Sequence, residues 1–194
     1  MVKLIGKKIN AAIFISGNGT NLNSIIKKSK NKKFPIKVSL VISNNKKAPG
    51  LLYAKKNNIT FKTISSLNMN KFEKCSLKYL NDKKIKIICL AGFMKILSKK
   101  FIKEFKFKII NIHPSLLPKY KGTNTHSKVI KNKDKFTGST VHYVTEKLDS
   151  GKIIIQKKIK INKNDTVQKL KKKILIVEHS LYPKAIIKVL KSNL

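Results

Sequence analysis

Three short segments of the 194-residue chain carry side chains suited to chemistry. Asn111 and His113 lie one residue apart at the end of an apolar run, and Pro114 follows. In a strand that spacing puts both on one face, and the proline stiffens the exit. An amide can donate to a developing oxyanion, and an imidazole can donate or shuttle a proton near neutral pH. The pair suits acyl transfer. The other histidines read as structural: His142 packed in a strand or standing behind the site, His126 making a local bond near a helix start, and His179 on the last helix.

The second segment is Leu148-Asp149-Ser150-Gly151. A turn-forming aspartate in a hairpin accounts for it. So does a carboxylate set against His113, where it would raise the imidazolium fraction and orient the ring. The chain holds only eight acids. Glu178, next to His179, is the other acid of interest, beside its plain reading as a helix-surface charge. The third segment, Ser16-Gly17-Asn18-Gly19-Thr20-Asn21, falls at a strand-to-helix junction. It reads as a tight turn, or as a cradle whose amides and helix N-terminus receive an anion. The dinucleotide pattern GxGxxG fails because Leu22 stands where the last glycine belongs, so the cradle suits one phosphate rather than a pyrophosphate.

No covalent nucleophile is evident. Ser115 lacks the GxSxG context. Cys75 and Cys89 show neither CxxC nor metal-ligand spacing, and Cys89 reads as a small core residue. Direct attack by a substrate amine, without a metal, is the favoured chemistry.

The elements that position these segments alternate. Strands are expected at Ala11–Ser16, Lys37–Ser43, Thr60–Ile64, Ile85–Leu90 and Ile109–His113. Helices are expected at Asn21–Lys30, Gly50–Lys56, Asn70–Leu80 and near Ser98–Phe105. In the third helix Phe72, Cys75, Leu77 and Leu80 form the apolar face. The alternation argues for a Rossmann-like, doubly wound, mostly parallel α/β sheet. The loops after Ser16, Leu90 and Ile112 then open on the carboxyl edge, where such sheets bind ligands. Ser139–Thr145 and Lys152–Ile161 read as an antiparallel hairpin, giving a mixed sheet. Asp165 to Gln168 suits a reciprocal cap on a long helix reaching about Lys191, which Pro183 breaks or kinks. One domain, residues 1–194, is expected.

Forty-five basic residues, every one a lysine, give a formal net charge of +37. Nucleic-acid recognition ordinarily recruits arginine, whose planar fork reads phosphate and guanine. An even lysine excess fits AT-biased coding better than a selected nucleic-acid surface, though both leave a salt-sensitive attraction for polyanions. Met1 to Gly17 begins basic and then apolar, but Ala11–Ile15 runs into the glycine turn and reads as a strand rather than a signal peptide. No stretch approaches the roughly 20 apolar residues of a membrane span. A reducing, cytoplasmic setting is expected.

The segments Ile15 to Leu22, Leu90 to Leu97, Asn111 to Tyr120, Gly138 to Thr145, Leu148 to Gly151 and Glu178-His179 together resemble the folate-dependent formyltransferases. The pattern is most similar to the phosphoribosylglycinamide formyltransferase family of purine synthesis, over nearly the whole chain. The run Asn-Ile-His-Pro-Ser-Leu-Leu-Pro is highly specific for that chemistry. The resemblance implies a formyltransferase fold, with 10-formyltetrahydrofolate as co-substrate and glycinamide ribonucleotide as acceptor. It implies His113, Asn111 and Asp149 as the catalytic trio, with Asp149 keeping His113 charged. It assigns Gly19, Thr20 and Asn21 to the substrate phosphate, Pro114 to the substrate site, and Glu178 to the ribose or amine end. Met94, Lys95, Ile96 and Leu97, with Asn111, line the folate pocket. Departures from the pattern are Lys95 for an arginine, Met69 with Lys71 nearby where an upstream arginine is expected, and Lys121 and Ser150 for a proline and a glycine. They bear on affinity more than on chemistry. Partners are then small molecules, with no specific nucleic acid and no membrane, and the chain is a monomer or homodimer. The rivals are a methionyl-tRNA formyltransferase-like enzyme, whose family carries a further C-terminal nucleic-acid-binding domain, a formyltetrahydrofolate hydrolase, whose family usually carries an N-terminal regulatory domain, and a basic nucleic-acid-binding protein without catalysis.

Overall fold

The structure, a computed structural model, describes residues 8–191. The basic start of the leader-like segment, up to Lys7, lies outside them. The described residues divide into two compact units, with the division between Ile110 and Asn111.

The first unit contains β1 (Ile9–Ile15), α1 (Thr20–Ser29), β2 (Ile36–Ser43), α2 (Leu51–Lys56), β3 (Phe61–Thr63), α3 (Met69–Asp82), β4 (Ile87–Leu90) and α4 (Lys99–Glu104). Its strands run in the order β3-β2-β1-β4, and each pair is parallel. In β1, Ala11 to Ile15 are all buried, and so is every residue of β4. A strand covered on both faces has no use for a polar alternate, so both read as unbroken apolar runs. Phe14 sits at the centre, with ring centroids of Phe72, Phe93 and Phe101 at 6.0, 5.5 and 6.3 Å. Such aromatic pairs are each worth about 0.5–1.5 kcal/mol beyond buried area. Phe93 belongs to the loop after β4, so this cluster also anchors that loop.

The inward face of α3 differs from expectation. Phe72, Glu73, Ser76 and Leu80 are buried, while Cys75 and Leu77 are half-buried. The helix is turned because Glu73 has partners inside. Its carboxylate accepts from the Ser98 amide and hydroxyl, both at 2.6 Å. That fixes the start of α4.

β5 (Lys108–His113) runs across the division between the units. The second unit continues with α5 (Thr125–Lys131), β6 (Phe136–Tyr143), β7 (Ile153–Lys160) and α6 (Val167–Lys191). Its strands follow the order β5-β6-β7, with β6 and β7 antiparallel. β6 begins at Phe136, ahead of the expected Ser139, because it pairs with β7 back to Lys160. A bulge shifts the register between Val141 and His142, and bulges re-aim side chains. Val129, Leu170 and Ile174 form a core cluster that Tyr120, Ile130, Ile159 and Ile161 cover.

Two expectations for α6 are corrected. Thr166 caps it, accepting from Lys169 N at 3.2 Å. Asp165 is drawn instead to Lys173 Nζ and the Asn162 amide, at 2.7 and 2.9 Å. The break at Pro183 does not occur: the helix continues through it, flanked by buried Leu181, Tyr182, Ala185 and Ile186. That packing outweighs the one helical hydrogen bond the proline cannot make.

Gly138 permits the close approach of β6 to β7. A Cβ there would overlap the Lys157 carbonyl oxygen and lie 2.6 Å from Leu116 Cδ2. Gly138→Ala is expected to destabilise the protein by about 1–3 kcal/mol, the usual range for overpacking. Urea denaturation checks this through a lower midpoint at unchanged slope.

Candidate active site

In the first unit two loops leave neighbouring strands. After β1, Gly19 turns with φ of +66° and precedes α1 directly. Its missing Cβ matters, since one would lie 2.6 Å from Gly50 Cα. The Gly50 amide donates to the Gly17 carbonyl at 3.0 Å and holds the turn. The first turn of α1 contains no acidic side chain, so the partial positive charge of the helix end is undiminished. Thr20 is half-buried and Asn21 is buried. The loop after β4 turns at Gly92, with φ of +71°. Phe93 and Leu97 are buried and tie it down at both ends, while Met94, Lys95 and Ile96 are exposed. Of the four residues expected to meet folate, Leu97 packs into the core, whereas Met94 and Ile96 present apolar side chains outward.

In the second unit Asp149 gathers the chemistry. Its Oδ2 lies 3.3 Å from His113 Nδ1 and accepts from the Gly122 amide at 2.8 Å. Its Oδ1 lies 3.5 Å from both Asn111 Nδ2 and His142 Nε2. Asn111 Nδ2 is also 3.3 Å from His142 Nε2. Asn111 and His113 thus meet one carboxylate from one face of β5, as their spacing requires. The side chains of Asp149 and His113 are 7% and 6% exposed. Pro114 is half-buried just beyond them, and Glu178 is buried on α6.

The loop between β5 and α5 supplies what side-chain reasoning missed. The other His113 nitrogen, Nε2, meets the Tyr120 carbonyl at 2.8 Å. Tyr120 holds a left-handed φ of +57°, an uncommon conformation for an aromatic residue. Its hydroxyl donates to Asp134 at 2.8 Å and accepts from Asn132 at 2.8 Å. Lys119 also pairs with Asp134, at 2.8 Å, and Ser115 donates to the Lys119 carbonyl at 2.6 Å. Neither the Tyr120 carbonyl nor the Gly122 amide leaves a side-chain signature. His142 is more than packing, because the β6 bulge brings its Nε2 to the carboxylate while Nδ1 donates to the Tyr143 carbonyl at 2.8 Å. Among the described residues the buried Nδ1 of His126 meets no hydrogen-bond partner, so the expected local bond is not made at that atom. Lys121 and Ser150, two departures from the resemblance, meet each other at 2.6 Å. Among the described residues no group of three or more His, Cys, Asp or Glu is arranged to hold a metal ion, and no helix is long and apolar enough to cross a membrane.

The profile of the family described as Formyl transferase matches residues 9–186. The chain belongs to the formyl transferase family. This formyl transferase is 41% identical over 180 residues to the phosphoribosylglycinamide formyltransferase of Haemophilus influenzae, covering 91% of this chain and 84% of that one. It is 37% identical over 187 residues to the trifunctional purine biosynthetic protein adenosine-3 of Gallus gallus, covering 95% of this chain. It spans only 19% of that relative's length. Among solved structures, the phosphoribosylglycinamide formyltransferase of Anaplasma phagocytophilum superposes with a TM-score of 0.90 at 37% identity, covering 96% of this chain and 88% of that one. The mixed α/β fold expected from the sequence is the one these structures share.

The electrostatics of this formyl transferase correct one expectation. Burial lowers the His113 pKa from its ordinary value; the Tyr120 carbonyl and the Asp149 carboxylate oppose this, and His142 and Lys128 add to it. The net direction is downward, so Asp149 does not keep the resting ring charged. At neutral pH the ring is neutral, with an acceptor facing each nitrogen and one N–H to give. For Asp149, burial alone would raise the pKa. Hydrogen bonding from His142 and Gly122, with the electrostatic influence of the two nearby imidazoles, outweighs it and brings the value below normal. The site therefore rests as a carboxylate beside a neutral imidazole that has a place ready for a second proton.

The signs follow for two variants. Asp149→Asn removes an influence that raises the His113 pKa, so the ring is expected to titrate at lower pH than in the parent. Lys128→Gln removes one that lowers it, so the ring is expected to titrate higher. Imidazole NMR across the pH range measures both directions.

Proposed function

We propose that this chain transfers the formyl group of 10-formyltetrahydrofolate to the amine of glycinamide ribonucleotide. The observation that carries the reading is the convergence of Asn111 and His113 on the buried carboxylate of Asp149. Membership of the formyl transferase family and likeness to proteins bearing the phosphoribosylglycinamide formyltransferase name support it.

The amine attacks the formyl carbon, a new C–N bond forms, and the carbonyl oxygen takes up negative charge. Asn111 donates an amide hydrogen to that oxygen. Its resting contacts, at 3.3 and 3.5 Å, are long for hydrogen bonds and give way to a charged acceptor. The attacking nitrogen loses a proton to the His113–Asp149 pair. The resulting imidazolium has hydrogens for both Tyr120 O and Asp149, which offsets part of its burial. The proton then passes to the folate nitrogen as the old C–N bond breaks, so charge and protons balance. Gly19, Thr20 and Asn21 receive the phosphate, Pro114 borders the acceptor, and Glu178 meets its ribose or amine end. Met94, Lys95 and Ile96 cover the folate, with Leu97 supporting them from the core. Holding both substrates in attack geometry supplies on the order of 7–11 kcal/mol. The chain acts on small molecules in the cytoplasm, as a monomer or homodimer, with Cys75 and Cys89 as thiols.

The test offers 10-formyltetrahydrofolate with either glycinamide ribonucleotide or tRNA, at salt high enough to suppress polyanion attraction. Formylation of the ribonucleotide alone is expected. Asn111→Ala is expected to lower kcat by roughly 10²–10³, the usual cost of one oxyanion donor, and His113→Ala by at least as much, with KM little changed. Formylation of tRNA alone, or parent-like turnover in either variant, contradicts the reading.

A further inference from the structure

The loop that carries Met94 and Ile96 is held by a residue the proposed chemistry does not use. Ser16 closes β1 just before the glycine turn. Its amide donates to the Gly92 carbonyl at 3.1 Å, and its hydroxyl accepts from the Met94 amide at 2.8 Å. That hydroxyl donates its own hydrogen to Asn44 Oδ1 at 2.6 Å. Asn44 stands just after β2 and donates through Nδ2 to Ser66 Oγ at 3.1 Å, beyond β3. The exits of all four strands of this unit are thus joined through one half-buried hydroxyl.

We propose that Ser16 is a positioning residue for the folate side of the reaction, fixing the backbone of the loop after β4 through the Met94 amide. This rests on the function proposed above. The loop has a rigid far end, where Leu97 is buried and Ser98 is bonded twice to Glu73. At its near end Phe93 lies in the aromatic cluster, stacked on Phe72 at 5.5 Å. Between these anchors Met94, Lys95 and Ile96 are exposed, with Met94 67% and Ile96 61% accessible. Packing does not fix such side chains, so their backbone sets where they point. Among the described residues, the Met94 amide is the one backbone group of these three with a side-chain partner, and that partner is Ser16. The hydroxyl is suited to the task because Asn44 takes its single hydrogen, which leaves its lone pairs toward Met94.

The acceptor side does not depend on the Ser16 hydroxyl. The Gly17 carbonyl is held by the Gly50 amide at 3.0 Å, and the Ser16 carbonyl by Asn45 Nδ2 at 3.3 Å. Neither bond needs the Ser16 hydroxyl. Removing the hydroxyl therefore loosens one loop and leaves the glycine turn in place.

Ser16→Ala is expected to raise KM for 10-formyltetrahydrofolate on the order of tenfold, as for an unmade hydrogen bond in a partly buried site. KM for glycinamide ribonucleotide and kcat are expected to stay within about twofold. Ser16→Thr, which keeps the hydroxyl, is expected to restore the folate KM. Amide exchange at Met94 is expected to quicken on the order of tenfold in Ser16→Ala, a readout independent of turnover. If Ser16→Ala fails to fold, Asn44→Ala is expected to show the same split to a smaller degree. Equal rises in both KM values, or no rescue by threonine, overturn the proposal. Unchanged exchange at Met94 overturns the tether itself. Quickened exchange in a chain whose parent shows no formyl transfer overturns the function assigned to the loop and identifies that reading as the failure.

Discussion

A carboxylate almost shut away from water, beside an imidazole that burial keeps neutral, is the constraint around which this site is organised. Asp149 stays ionised because an amide hydrogen and two imidazoles face it. A buried charge without such partners would take up a proton. Each partner comes from a separate feature: Gly122 from the loop before α5, His142 from the β6 bulge, and His113 from the end of β5. Loss of any one raises the cost of the charge, and loss of the charge leaves His113 without its acceptor.

The scarcity of acids sharpens this picture. In a chain of net charge +37, a surface carboxylate is outnumbered by cations and specifies little. The acids that are well held each fix a structural point. Glu73 holds Ser98 at the end of the loop after β4. Asp134 gathers Lys119 and Tyr120, and so keeps the Tyr120 carbonyl against His113. Asp165 ties Lys173 at the start of α6. Each of these carboxylates fixes the geometry of the segment it bonds.

The central parallel strands were legible because burial on both faces leaves an unambiguous apolar run in β1 and β4. The pairing of Asn111 with His113 was legible for the related reason that strand periodicity is fixed. The α3 face was misread because Glu73 is polar and yet buried, and no periodicity marks a carboxylate whose partner lies 25 residues away. The α6 cap differs from expectation because Asp165 takes both the Asn162 amide and Lys173, which leaves Thr166 to cap the helix. Tyr120 and Gly122 act through backbone groups in a loop of positive φ, which composition cannot reveal. The charge state of His113 followed from burial, a property of the folded chain, whereas the sequence suggested only that an acid was near.

The most direct measurement is the single-turnover rate of formyl transfer, followed against pH in the parent and in Asp149→Asn. The parent rate should fall on the acid side with a midpoint below the ordinary histidine value, as neutral His113 becomes charged before it can accept a proton. The asparagine variant should lose at least about 100-fold on the plateau, the scale of a general acid–base contribution. A parent rate that rises as the imidazole becomes charged, or an asparagine variant with the parent's plateau, would contradict the account.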